Sequence, residues 1–234
     1  MTRSVVILTA MQLEADPFIE LLEGAESVEA PASGIHAVRG ALDRRDLVVA
    51  RTGVGLVAAA TATAWASSAF NPQAIISAGT AGGLPRDISI GDVAVSEAST
   101  YGTADATEFG YERGQVPGQP VRFNAADELL EAARDAAQQH WRFGRILSGD
   151  TFVTAKNVAD TREAFPDAVA TDMESCAIAQ TASAFSIPWL SVRGISDLCG
   201  PEAGQDFHMD AAEAAERSRD AVVAILSRLP APRQ

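Results

Sequence analysis

The chain is short of cysteine, of lysine and of long apolar runs, and each shortage excludes something. Cys176 and Cys199 are the only cysteines in 234 residues. Two isolated thiols cannot staple a domain of this size and fit a reducing compartment, so the expected location is the cytoplasm. Lys156 is the only lysine, and 18 basic residues face 31 acidic ones, for a net charge of -13. Binding a phosphate backbone needs a basic face, so nucleic acid is not an expected partner, and the acidic balance reports solubility. No segment reaches the roughly 18–20 apolar residues of a bilayer span. The amino terminus lacks the charged and apolar regions of a secretory leader, so no membrane partner is expected. His36, His140 and His208 fall in no metal-ligand spacing. Neither a GxSxG nor a Cys–His arrangement marks acyl transfer. The expectation is an enzyme site with no metal and no cofactor.

What is present is an ordinary globular composition, 47% hydrophobic and 21% charged. No repeat or low-complexity stretch divides it, so one domain over residues 1–234 is expected, with 230–234 as a frayed tail. Apolar runs predict strands at 5–8, 46–50, 74–77, 92–95, 145–147, 168–171 and 188–192. Helices are predicted at 12–22, 56–68, 125–138 (capped by Asn124), after Glu174 to 185, and 211–229. Residues 101–120 read as a long loop, which in a compact domain is often functional. Strands alternating with helices predict an α/β fold: a mixed, mostly parallel central sheet flanked by helices. In such sheets ligands gather beyond the carboxyl ends of the strands.

The polar residues fall at those ends. Glu14 follows the first strand, and Gly79-Thr80-Ala81-Gly82-Gly83 follows the strand at 74–77. Asp172 and Glu174 follow the strand at 168–171, and Arg193 and Asp197 follow the strand at 188–192. The glycine cluster matches neither the Walker nor the dinucleotide pattern. It reads equally as a tight turn or as a cradle for a phosphate, a sugar or water. Any one acid alone is an ordinary solvated charge. Carboxylates converging on one pocket would instead repel, and some would hold protons or sugar hydroxyls. That arrangement suits glycosyl chemistry, in which one acid protonates the leaving group and another activates water. Arg193, read as one turn before Asp197, would orient the carboxylates or form a salt bridge. Phe152 and Phe207 read as core or as stacking residues.

Taken in order, several segments resemble the 5′-methylthioadenosine/S-adenosylhomocysteine nucleosidase family of the purine nucleoside phosphorylase-like fold. They are Thr9-Ala10-Met11-Gln12-Leu13-Glu14, Gly53-Val54-Gly55-Leu56-Val57-Ala58-Ala59-Ala60 and Ala78-Gly79-Thr80-Ala81-Gly82-Gly83-Leu84. They continue with residues Phe109 to Gly118, Ser148-Gly149-Asp150-Thr151-Phe152-Val153, Asp172-Met173-Glu174 and Arg193-Gly194-Ile195-Ser196-Asp197. The resemblance covers nearly the whole chain.

The resemblance implies hydrolysis of the N-glycosidic bond of 5′-thio-substituted adenine nucleosides. By position, it makes Asp197 the donor of a proton to adenine N7 and Glu174 the holder of the ribose hydroxyls. Glu14, with Arg193 nearby, would position the attacking water, and Thr80 would carry the hydroxyl of the glycine loop. Met173 would pack under the ribose, Phe152 would stack on the adenine, and the Val153 backbone would read its amino edge. Phe207 would cover the 5′ side. Phe109 and Pro117 would come from a partner subunit, since the family is homodimeric. The chain departs from the family at Thr80, where serine is usual, and at Asp172, where glutamate is usual. It departs also at Gln12, Leu13 and Gly102. Three other readings use the same residues: a 6-amino-6-deoxyfutalosine hydrolase, a nucleoside phosphorylase and a non-catalytic nucleoside-binding protein.

Overall fold

The computed structural model describes residues 3–31 and 34–230; all but Pro230 of the expected frayed tail at 230–234, and the side chain of His208, lie outside the described residues. The elements run Val5–Thr9 (β1), Gln12–Ile19 (α1), Glu23–Val28 (β2), His36–Leu42 (β3), Arg45–Arg51 (β4), Leu56–Phe70 (α2), Ala74–Gly83 (β5) and Val93–Tyr101 (β6). They continue as Phe123–Asn124 (β7), Asp127–Ala136 (α3), Trp141–Ser148 (β8), Val158–Ala164 (α4), Ala168–Asp172 (β9), Ser175–Ala184 (α5), Trp189–Asp197 (β10) and Ala203–Arg228 (α6). This is the α/β architecture expected from the alternation of patterns. Among the described residues no helix is long and apolar enough to cross a membrane.

The sheet order is β10-β6-β8-β9-β5-β1-β4-β3-β2, and β10 also pairs with β5, so β10, β6, β8, β9 and β5 close into a ring. The strands β1, β5 and β10 are buried along their whole lengths. Their continuous apolar runs are what a strand covered on both faces requires. Pairing of β1 with β4 and with β5, and of β5 with β10, is parallel, so the carboxyl ends of these strands open at one side of the sheet. Gly82 on β5 is opposite Asp197 on β10 and Thr171 on β9. The register thus gathers the ends of three strands around one small residue.

Several elements differ from the sequence reading, among them α4 and β7, which it lacked, and α6, which starts at Ala203 rather than 211. The helix from Gln12 ends at Ile19, and the chain turns into the hairpin β2–β3, which the sequence reading lacked. The edge strand β2 is almost wholly exposed, so it carries no apolar alternation to reveal it. The β3–β4 turn uses Asp43 and Arg44 at positive φ rather than the Asn-Gly pair that announces a two-residue hairpin. The expected Asn124 cap also fails: Asn124 lies on β7, and α3 starts at Asp127 after Ala126, without a side-chain cap. Finally, the strand runs at 74–77 and 188–192 extend to Gly83 and Asp197. The glycine cluster is therefore strand rather than turn, and Arg193 precedes Asp197 along a strand rather than by a helical turn.

The helix α6 packs on β10 and locks the ring. Ser218 on α6 donates to the Val192 carbonyl (2.8 Å) and accepts from the Gly79 amide (3.0 Å). At Gly194 the two elements approach so closely that a Cβ would lie 1.9 Å from the Ala214 carbonyl oxygen. Gly194→Ala must push backbone against backbone. It is expected to cost about 3 kcal/mol, the upper end of ordinary overpacking. At this chain length that lowers Tm by on the order of 6–12 °C in scanning calorimetry. An unchanged Tm would show that α6 does not rest on β10 this tightly.

Candidate active site

A cavity of about 350 Å³ opens where β5, β9 and β10 end, lined by Glu14, Thr80, Phe152, Val153, Met173, Glu174, Asp197 and Phe207 among others. All of these were singled out from the sequence. Two other expected residues lie away from it: Phe109 is 82% exposed, and Pro117 is on the surface. Arg193, 1% exposed, lies beneath the cavity and is not part of its wall. Among the described residues no group of three His, Cys, Asp or Glu is placed to hold a metal ion.

Each acid is held differently. Glu14 sits in the first turn of α1 and is 2% exposed. One oxygen, Oε2, accepts from the amides of Ala10 (2.9 Å) and Met11 (3.0 Å). The other, Oε1, accepts from the Thr80 amide (2.8 Å) and the Thr80 hydroxyl (2.9 Å). The hydroxyl expected of Thr80 is therefore engaged by Glu14. Gly79, at φ 144°, leaves room for this carboxylate; a Cβ there would lie 2.5 Å from Glu14 Oε1. A side chain would both strain the backbone and evict the acid.

Asp197 is the last residue of β10 and 1% exposed. Burial pushes its carboxyl above the usual range, the Cys199 amide (2.9 Å) and the Ser196 hydroxyl (3.2 Å) oppose that shift, and the charge of Asp206 adds to it. A raised pKa favours the protonated carboxyl, the form that can deliver a proton. Phe152 and Phe207 stand edge to face over the cavity, ring centroids 6.1 Å apart at 75°. Phe152 keeps 44% of its surface exposed, so its ring is available to a flat ligand.

Glu174 follows β9 at the residue just before α5, without a side-chain bond to that helix. Its Oε1 accepts from the Gly55 amide (3.0 Å), and its Oε2 lies 3.5 Å from Arg193. Burial pushes its carboxyl up to about 7, against the pull of Arg193 and helped by the charges of Asp172 and Glu14.

Asp172, the departure whose role was open, proves central. Its side chain accepts from the Ser148 hydroxyl (2.6 Å), the Glu174 amide and the Ser175 amide (both 3.1 Å) and the Ser175 hydroxyl. It pairs with Arg193 Nε at 3.0 Å. The guanidinium also donates to Ser77 (2.6 Å), Ser175 (3.2 Å), Ser191 (3.3 Å) and the Thr80 carbonyl (3.4 Å). Arg193 therefore braces Asp172 and Glu174, and no hydrogen bond joins it to Glu14. The serines at 77, 148, 175 and 191 were not identified from sequence, because isolated serines among apolar residues give no signal until a partner is known.

A family model described as the phosphorylase superfamily matches residues 4–229. Fold and site thus define a member of that superfamily. A 5′-methylthioadenosine/S-adenosylhomocysteine nucleosidase from Staphylococcus carnosus is 38% identical over 227 residues, covering 95% of this chain and 99% of that protein. The chain belongs to the 5′-methylthioadenosine/S-adenosylhomocysteine nucleosidase family. A crystal structure of such a nucleosidase from Colwellia psychrerythraea in complex with adenine superposes with a TM-score of 0.93 at 35% identity, covering 98% of this chain and 96% of that one. The futalosine hydrolase of Helicobacter pylori superposes with a TM-score of 0.90 at 27% identity, covering 98% of this chain and 99% of that one.

The raised Glu174 pKa has a sign that can be measured. Unfolded, this group titrates at its ordinary 4.5; folded, it titrates at about 7. Between these values the unfolded chain has lost the proton and the folded chain keeps it, so stability contributed by this group falls as pH rises. Glu174→Gln abolishes that dependence. The Tm of the variant minus that of the wild type should become more positive from pH 4.5 to pH 7. A difference that is flat or falls over this window would place the folded pKa of Glu174 at or below its ordinary value.

Proposed function

We propose that this protein hydrolyses the N-glycosidic bond of 5′-thio-substituted adenine nucleosides, 5′-methylthioadenosine and S-adenosylhomocysteine, releasing adenine and the 5-thioribose product. The observation that carries the reading is the buried Asp197, its carboxyl pushed above the usual range, sharing one cavity with Glu14, Glu174 and the Phe152–Phe207 pair. Adenine bound to the Colwellia relative supports the choice of base. Adenine leaves poorly as an anion, so Asp197 gives its proton to N7 as the C1′–N9 bond breaks. The sugar then develops positive charge, which nearby carboxylates stabilise. Glu14 takes a proton from water as its oxygen bonds to C1′. Glu174 receives the ribose hydroxyls, Met173 packs beneath the ring, Phe152 stacks on the base, Val153 reads its edge, and Phe207 covers the 5′ side.

Phosphate is a poor nucleophile here. It would meet Glu14 and Glu174, while Arg193, the nearest cation, is already committed beneath the cavity. We assign the whole chain, 1–234, to one nucleosidase domain. The free, buried thiols Cys176 and Cys199 support a cytoplasmic location. No cofactor takes part in the scheme.

The test is adenine release in phosphate-free buffer, followed by chromatography, on a panel of 5′-modified adenosines with 6-amino-6-deoxyfutalosine included. The wild type should act best on the 5′-thio compounds. Ribose 1-phosphate among the products would establish phosphorolysis, and a preference for the futalosine derivative would assign the relationship to the Helicobacter pylori enzyme instead. Binding without any release would mark a nucleoside-binding protein. Asp197→Asn should lower turnover by roughly 10²–10⁴-fold with adenine still bound. Retention of more than about a tenth of the rate would remove Asp197 as the acid.

We propose further that the protein is a homodimer. Phe109 projects from the 101–120 loop at 82% exposure, with Pro117 exposed on the same loop. Apolar side chains grouped on one loop suit a twofold neighbour, on which they would close the 5′ end of the partner's cavity. Phe109→Asp should weaken dimerisation and raise KM for 5′-methylthioadenosine together. Light scattering that finds a fully active monomer at assay concentration would dispose of the idea.

A further inference from the structure

The helix α2 begins without a cap of its own. Its N-cap residue, Gly55, has no side chain, and the first turn carries no acid. The first amides of such a helix need acceptors, and its positive end favours anions. Two carboxylates from distant parts of the chain fill the role. Glu174 accepts from the Gly55 amide at 3.0 Å, and Asp150 accepts from the Leu56 amide at 2.8 Å across 94 positions of sequence. Gly55, at φ 102°, is shaped for this: a Cβ there would lie 2.8 Å from Asp150 Oδ1. Asp150 is itself exposed and does not line the cavity. It is followed at once by Thr151, Phe152 and Val153, which do line it. These residues lie in a stretch without helix or strand between β8 and α4, so no backbone ladder fixes them.

We infer that Asp150 is a positioning residue for the base. It ties the segment bearing Phe152 and Val153 to the same helix end that holds Glu174, so the wall for the base and the acid beside the sugar share one rigid reference. The inference rests on the nucleosidase reading for its ligand, adenine, and on geometry alone for the tie itself.

Asp150→Ala removes the acceptor and should raise the Kd for adenine, by calorimetry, and KM for 5′-methylthioadenosine together by about three- to tenfold, the range set by losing one helix-capping bond. The kcat should stay within about twofold, because Asp197 and Glu14 are untouched. Asp150→Asn keeps an acceptor oxygen and should restore most of the affinity. Hydrogen exchange at the Leu56 amide and at residues 151–153 should quicken in the alanine variant, whatever the protein binds. Unchanged exchange at 151–153 would overturn the tie. Faster exchange with unchanged adenine affinity, or an asparagine variant no better than alanine, would overturn the positioning role. If the wild type neither bound adenine nor cleaved the nucleoside, the functional reading would fall, while exchange would still decide the tie.

Discussion

The buried Arg193 guanidinium is the charge around which the site is organised. A cation taken fully out of water is tolerated only when paired and hydrogen-bonded, and removing one partner of such a pair leaves an uncompensated charge at a cost of roughly 3–5 kcal/mol. Arg193 meets the requirement through Asp172 at 3.0 Å, Glu174 at 3.5 Å and a shell of serine hydroxyls. Each partner carries a second duty. Asp172 caps the first amides at the start of α5, and Glu174 closes the start of α2. One buried charge thereby fixes where two helices begin and how the last residues of β9 face the cavity.

The same network explains how acids of one chemical type differ in behaviour within one cavity. Glu14 receives four donors, two on each oxygen, and is held as an acceptor. Asp197 is buried with two donors, and its proton is held more tightly than usual. Glu174 is pushed up by burial and by its acidic neighbours and pulled down by Arg193. Environments that push like groups apart are what separate acid from base in a hydrolase. Here they follow from strand register, which opposes Asp197 to Gly82 and brings Thr171, next to Asp172, to the same glycine.

The local signals in the chain were enough for the strands buried on both faces and for the position of the acids just beyond them. Residues 5–8 and the starts of the strands at Ala74 and Trp189 are unbroken apolar runs, and such runs have one stable use in a sheet covered by helices. The order of short segments around Glu14, Phe152, Glu174 and Asp197 was equally legible, because each residue type is tied to its neighbours in sequence. The hairpin β2–β3 was not legible, since an exposed edge strand such as Glu23–Val28 buries nothing that would impose a period.

What only the tertiary structure decided is pairing across distance. Sequence placed Arg193 near Asp197, yet strand geometry sends its guanidinium down to Asp172 and Glu174. Asp172 stands where glutamate is usual, and its short side chain is the right reach for Ser148, the amides of Glu174 and Ser175, and Arg193 at once. Asp150 lies outside any helix or strand, yet it caps the start of a helix 94 residues earlier. The physical reason is common to all three. The chemistry of a side chain is written at its own position, whereas a hydrogen bond or an ion pair depends on the distance to a second group, and that distance exists only once the sheet has closed.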